Sequence, residues 1–203
     1  MGPALFLVFI NDIDTAVDIT SCFLSKFADD TKLGHPVRND RDREMLQAQL
    51  DSIFNWSQTW GMTFNIDKCK VMHVGRTNQN YEYTMNGQKL QETENERDVG
   101  VMFDNSMKPG MHCRNAARTA RAILKQIGQA FHYRDRYTFL NLYKRYVRVH
   151  MEFATPAWNT WQIGDVECLE KVQMKAVSMI SGLRSDNYED KLKELKSFYI
   201  CLN

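Results

Sequence analysis

Apolar positions fall into runs along this chain, and the spacing within the runs alternates between strand-like and helical. Positions 5–10 (LFLVFI) are apolar without a break, the pattern of an element buried on both sides. After a polar connection, positions 22–28 and 31–37 form two short β-prone runs with Asp29 and Asp30 between them, which predicts a hairpin. Across 40–60, Leu46, Leu50, Ile53, Phe54 and Trp60 recur at helical intervals while Arg41, Asp42, Arg43, Glu44, Gln47 and Asp51 fall largely elsewhere. That spacing predicts an amphipathic helix stopped by Gly61. Short strands are expected at 62–64 and 71–74, then a hairpin over 81–90 turning at Asn86-Gly87, because a type I′ turn needs positive φ at both central residues. A further strand is expected at 99–103.

Beyond Pro109 the pattern becomes helical throughout, with helices expected at 114–131, 137–150 and 166–180, separated by Arg134-Asp135 and by the loop TPAWNTWQIGD. The fold class is therefore α+β: antiparallel hairpins with an amphipathic helix over 1–107, then an all-helical subdomain over 108–203. In the first of these helices Arg114, Arg118, Arg121 and Lys125 share one face, opposite Ala120, Leu124, Ile127 and Phe131. Lys144, Arg145 and Arg148 repeat the arrangement opposite Phe139, Leu142 and Tyr146. Between 114 and 148 the single acidic residue is Asp135. Placement gives these cations their meaning, since the chain carries a net charge of only +1. Two basic faces with one acid between them suit a phosphate backbone, and a solvated surface is the bland alternative.

The composition, 43% apolar and 11% aromatic over 203 residues, supports a real core and excludes a disordered tail. The five cysteines, Cys22, Cys69, Cys113, Cys168 and Cys201, are odd in number and widely spaced. Neither a disulfide framework nor a zinc module is expected, and reduced thiols point to an intracellular setting, with nucleus and cytoplasm both open. The run at 5–10 is too short to cross a bilayer, and no signal peptide or membrane partner is expected.

Two adjacent carboxylates at a hairpin tip are common turn chemistry, since Asp bonds its own backbone readily. Held at one end of a small sheet, Asp29 and Asp30 also suit a hard divalent cation. The stretch FADDTKL resembles the catalytic aspartate hairpin, [YF]-x-D-D, of reverse transcriptases, specifically those of LINE-type (non-LTR) retrotransposons of the jockey-like group. GPALFLVFINDI is similar to the segment preceding that hairpin, WGMTFNIDKCKVMHVGR to the palm motif following it, and NERDVGVMFD to the element that becomes the primer grip. YVRVHMEFATPAWNTW, LEKVQMKAVSMISGL and NYEDKLKELKSF resemble the thumb and its downstream connection.

The resemblance implies a partial polymerase palm followed by a thumb-like subdomain, and RNA-directed DNA polymerase activity in the parent enzyme. It implies Asp29 and Asp30 as catalytic, metal-binding residues for Mg²⁺ or Mn²⁺, with Lys68 or Lys70 near the phosphates of an incoming dNTP. Arg114, Arg118, Arg121, Lys125, Lys144, Arg145 and Arg148 would face an RNA template–DNA primer duplex. The family's mechanism also uses a further aspartate and a set of fingers that precede the segment matched by Gly2-Pro3. The expectation is therefore an incomplete site, with exposed apolar surface where the N-terminal palm and fingers would pack. Asp12, Asp14 and Asp18 match the family's connector and read as caps or turn residues. A non-catalytic nucleic-acid-binding remnant that uses the basic helices is the alternative.

Overall fold

The computed structural model describes residues 2–160, 162–183 and 187–195. Trp161, the segment 196–203 with Cys201, and the end of NYEDKLKELKSF lie outside the described residues. The chain divides into two compact units, 1–99 and 100–203, and both helix and strand are present, as an α+β class requires.

The first unit opens with α1 (Gly2–Ile10), which runs straight into a 3₁₀ turn, Asn11–Ala16. β1 (Phe23–Phe27) and β2 (Asp30–Gly34) then pair antiparallel. α2 (Asp40–Thr59) begins where the Asn39 side chain accepts the N–H of Asp42, an N-cap that satisfies an otherwise orphaned donor. It ends against Gly61, whose φ of +67° needs no side chain. A 3₁₀ turn at Ile66–Lys68 leads to β3 (Lys70–Val71), followed by β4 (Thr84–Met85), β5 (Gln88–Lys89), β6 (Gln91–Glu92) and β7 (Asn95–Asp98). β4 and β5 pair antiparallel across Asn86 (φ +53°) and Gly87 (φ +73°), the expected type I′ geometry, and β6 pairs parallel with β3.

α2 serves two small cores at once. Ile53 and Trp56 pack with Ile10, Ile13, Val17 and Cys22, whereas Leu46, Leu50 and Phe54 pack beneath Tyr83, Met85 and Leu90. The Gln47 amide fixes the second core by donating to the Thr84 carbonyl (2.8 Å) and accepting the Thr84 N–H (3.0 Å), as a neighbouring strand would.

The second unit contains β8 (Val101–Asp104), α3 (Gly110–Ala130), α4 (Arg136–Leu142), α5 (Val149–Glu152), α6 (Thr155–Trp158), α7 (Ile163–Ser178) and α8 (Tyr188–Leu195). A π-helical segment, Tyr143–Arg148, joins α4 to α5. The core of this unit includes a row of small residues on α3, Ala116, Ala117 and Ala120, that packs with Leu169, Val172 and Ala176 of α7 and with the larger Phe139, Tyr143 and Met151.

Three expectations change in the structure. Positions 5–10 are helical and only partly covered: Leu5, Leu7 and Val8 are 57–75% exposed, because only the side of α1 bearing Ile10 and Phe6 reaches the core. Residues 62–64 form no strand, and the strand expected at 71–74 is confined to Lys70–Val71. Across Arg136–Glu152 the buried positions are Phe139, Tyr143, Val147 and Met151, while Leu142 is half-buried and Tyr146 exposed. A strict four-residue period drifts around an α-helix of 3.6 residues per turn; the wider π turn removes the drift and keeps all four on one side.

Candidate active site and nucleic-acid interface

The β1–β2 hairpin closes on the pair Phe27 and Asp30, leaving Ala28 and Asp29 as its turn. Ala28 sits at φ +54°, a left-handed conformation uncommon for a residue with a Cβ, and the turn is tight for that reason. Successive residues face opposite sides of the pleat, so Leu24 and Leu33 point into the core with Lys26 and Thr31 on their side. Lys26 Nζ donates to the carbonyl of Asn11 (2.9 Å) and pairs with Asp14 (2.8 Å), fastening the hairpin to the 3₁₀ turn. The outer face carries Phe23, Phe27, Asp30 and Lys32, and both phenylalanines are largely exposed.

Both carboxylates at the tip are exposed, and neither forms an ion pair or side-chain hydrogen bond among the described residues. That leaves oxygen donors of the kind Mg²⁺ or Mn²⁺ takes. The fit is partial, because the described residues contain no group of three His, Cys, Asp or Glu side chains placed to hold a metal ion. Two of the acids that precede the hairpin are committed elsewhere. Asp14 pairs with Lys26, and the Asp18 carboxylate accepts from the Thr20 hydroxyl (2.6 Å) and N–H (3.0 Å), bonds that hold its pKa below the usual value.

The two lysines differ in their surroundings. Lys70, on β3, pairs with Glu96 at 3.1 Å, whereas Lys68, at the end of the 3₁₀ turn, is exposed with no partner for its ammonium among the described residues. The neighbouring Cys69 thiol donates to the Asn65 carbonyl, consistent with packing. In the second unit Cys113 is fully buried, and burial pushes its thiol up to about 12, so it stays protonated at neutral pH.

On α3, Arg114, Arg118, Arg121 and Lys125 are all exposed, opposite the buried Ala116, Ala117, Ala120 and Leu124. None pairs with a carboxylate among the described residues. Arg118 donates to the Asn115 side chain (3.0 Å) and Arg121 to the Cys168 carbonyl (3.2 Å). Lys144 and Arg145 are exposed on the π segment, but Arg148 is half-buried and paired with Glu152 at 2.7 Å. The basic surface is therefore strongest on α3. It lies in the second unit, and the aspartate hairpin lies in the first.

Two arginines escaped the sequence reading. Arg134 donates to the carbonyls of Gly128, Phe131 and Met179 and so serves the C-termini of α3 and α7, while Arg136 donates to that of Glu194 on α8. Their signal was a pair of cations directly after a helical run, which reads equally well as more basic surface.

Residues 1–95 match the reverse transcriptase (RNA-dependent DNA polymerase) family. Over 95% of its length the chain is 21% identical to the RNA-directed DNA polymerase from mobile element jockey of Drosophila melanogaster and 22% identical to that of Drosophila funebris. It spans 23% of the length of each of these relatives. No solved structure matches it. No described helix is long and apolar enough to cross a membrane.

Proposed function

We propose that this chain, a low-identity relative of the reverse transcriptases of jockey-like LINE (non-LTR) elements, is the palm end and thumb of an RNA-directed DNA polymerase. The palm-type body runs through position 107, and the thumb-type helical body follows from 108. Asp29 and Asp30 are the residues that would hold Mg²⁺ or Mn²⁺. Bound there, such an ion neutralises charge on the oxygens of a phosphoryl transfer. The reaction joins a primer 3′-hydroxyl to the α-phosphate of a dNTP and releases pyrophosphate.

Each group then has a part. The tight turn at Ala28 sets the two carboxylates at the free end of the hairpin, and Lys26 anchors that hairpin from behind. Lys68 is the better of the two lysines for the triphosphate, because Lys70 already neutralises Glu96. Arg114, Arg118, Arg121 and Lys125 track the phosphates of the template–primer duplex, with Lys144 and Arg145 extending the surface and Arg148 contributing least. Among the described residues no third His, Cys, Asp or Glu is grouped with Asp29 and Asp30, so in this reading the pair is half of a catalytic set and the chemistry uses a further carboxylate. The observation that carries the reading is the pair of unpartnered carboxylates at a strained hairpin tip, Asp29 in the two-residue turn and Asp30 closing it, inside the segment that matches the family.

Primer extension on an RNA template–DNA primer duplex with Mg²⁺ tests it, comparing the chain with its Asp29→Ala, Asp30→Ala double variant. The expected result is salt-sensitive duplex binding by both proteins and no extension by either alone. Extension by the wild type that disappears in the variant would overturn the half-site and direct attention to Asp12, Asp14 and Asp18. Absence of duplex binding would overturn the thumb assignment.

A further inference from the structure

We infer that Asp98 holds the Lys32 ammonium away from Asp30, and so keeps the hairpin tip available to a divalent cation. The inference rests on the reading of Asp29 and Asp30 as metal-holding residues. Asp30 and Lys32 lie two positions apart on the same outer face of β2, about 6.6 Å along the strand. A lysine stem is long and flexible enough to fold back over that distance. Across the ladder Asp30 faces Phe27 and Lys32 faces Ser25, so neither residue meets a charge there. The other lysine of the hairpin, Lys26, points to the opposite side and is held by Asn11 and Asp14. Lys32 is therefore the cation of the hairpin best placed to neutralise Asp30.

It does not do so. Lys32 pairs with Asp98, at the end of β7 and 66 residues further along the chain. Both partners are partly covered, so the pair is more than a fully solvated contact. Two carboxylates compete for one ammonium, and Asp98 takes it. Asp98 is accordingly a positioning residue acting through Lys32, and it touches no reacting atom. Without it the ammonium falls back onto Asp30, and a metal ion has to displace it.

Mn²⁺ serves as the probe, with binding read from paramagnetic broadening of the Asp29, Asp30 and Thr31 amide signals in the full chain. The comparison takes the wild type, Asp98→Asn, Lys32→Met, and the two combined. Asp98→Asn is expected to weaken Mn²⁺ binding roughly three- to fivefold, the scale of a partly exposed ion pair. The combined variant is expected to return to wild-type affinity or better, because the competing ammonium is gone. Equal affinity for Asp98→Asn and wild type would overturn the inference. So would a combined variant as weak as Asp98→Asn, which would mean that Asp98 merely supports the fold. If Mn²⁺ leaves the wild-type tip signals unbroadened, the assignment of the aspartate pair itself fails; the signature is different, because all four proteins then behave alike.

Discussion

Arg134 Nε donates to the carbonyl oxygen of Met179 at 2.8 Å, so that the loop after α3 is tied to the residue that ends α7. The same guanidinium donates to Gly128 (3.2 Å) and Phe131 (2.9 Å), and the Arg134 carbonyl accepts the N–H of Ser181 (2.9 Å). One cation thus satisfies carbonyls at two helix ends, where the macrodipole favours positive charge. Arg134→Ala is expected to lower unfolding stability by about 2 kcal/mol. Arg134→Lys should recover only part, since an ammonium lacks the planar fork. Urea denaturation of the two variants checks the order.

The turn of the aspartate hairpin gives a second prediction. At φ +54°, Ala28 bears a Cβ penalty that glycine lacks and a β-branched residue makes worse. Ala28→Val is expected to cost about 1–2 kcal/mol, while Ala28→Gly should equal or slightly exceed the wild type. Thermal melts giving Val above Gly would show that the turn is not in this conformation.

Duplex binding through α3 is expected to be governed by counterion release. Removing two phosphate contacts with Arg118→Ala and Arg121→Ala should make the slope of log affinity against log salt shallower by about 1–2. Asp29→Ala should leave that slope alone. Arg121 also bonds the Cys168 carbonyl, so a parallel melt separates lost stability, about 1 kcal/mol, from lost affinity.

Asp135 supplies a pH prediction. Its carboxylate caps α4 by accepting the Thr138 N–H at 3.0 Å, and the backbone and side-chain bonds from Thr138 hold its pKa below the ordinary carboxylate value. A depressed folded-state pKa contributes stability above the unfolded value, near 3.9, and loses it as pH falls through the folded value. Asp135→Asn should therefore be less stable than wild type at pH 6, and the gap should narrow as pH falls below about 4. A gap of constant size from pH 6 to pH 2.5 would show that the cap does not depend on the charge.

What could be read from the chain beforehand was local. Asn86-Gly87 dictates its turn, Gly61 stops α2, and the cationic face of α3 follows from four residues at helical spacing. What escaped depended on partners distant in sequence or on a departure from regular geometry. Nothing near Lys32 announces Asp98, and nothing in the Arg134-Asp135 stretch announces Met179. A wheel turning at about 100° per residue puts Tyr146 on the core face, a rule the π segment does not obey, and Tyr146 is exposed. The exposed side of α1 reflects a limit of hydropathy, which tells how apolar a segment is and says nothing of how much of it the rest of the chain covers.

The π segment also governs where a helix of this unit can change length. Such a turn is an α-helix accommodating a surplus residue, with an i→i+5 bond where i→i+4 would otherwise stand. Deleting one residue among Lys144, Arg145 and Tyr146 would let the run from Arg136 to Glu152 relax to ordinary α geometry, whereas the same deletion inside α3 would rotate everything after it out of register. The stretch that displays Lys144 and Arg145 thus tolerates a change in length better than the interior of α3, and cationic reach can vary there while Phe139 and Met151 keep their places.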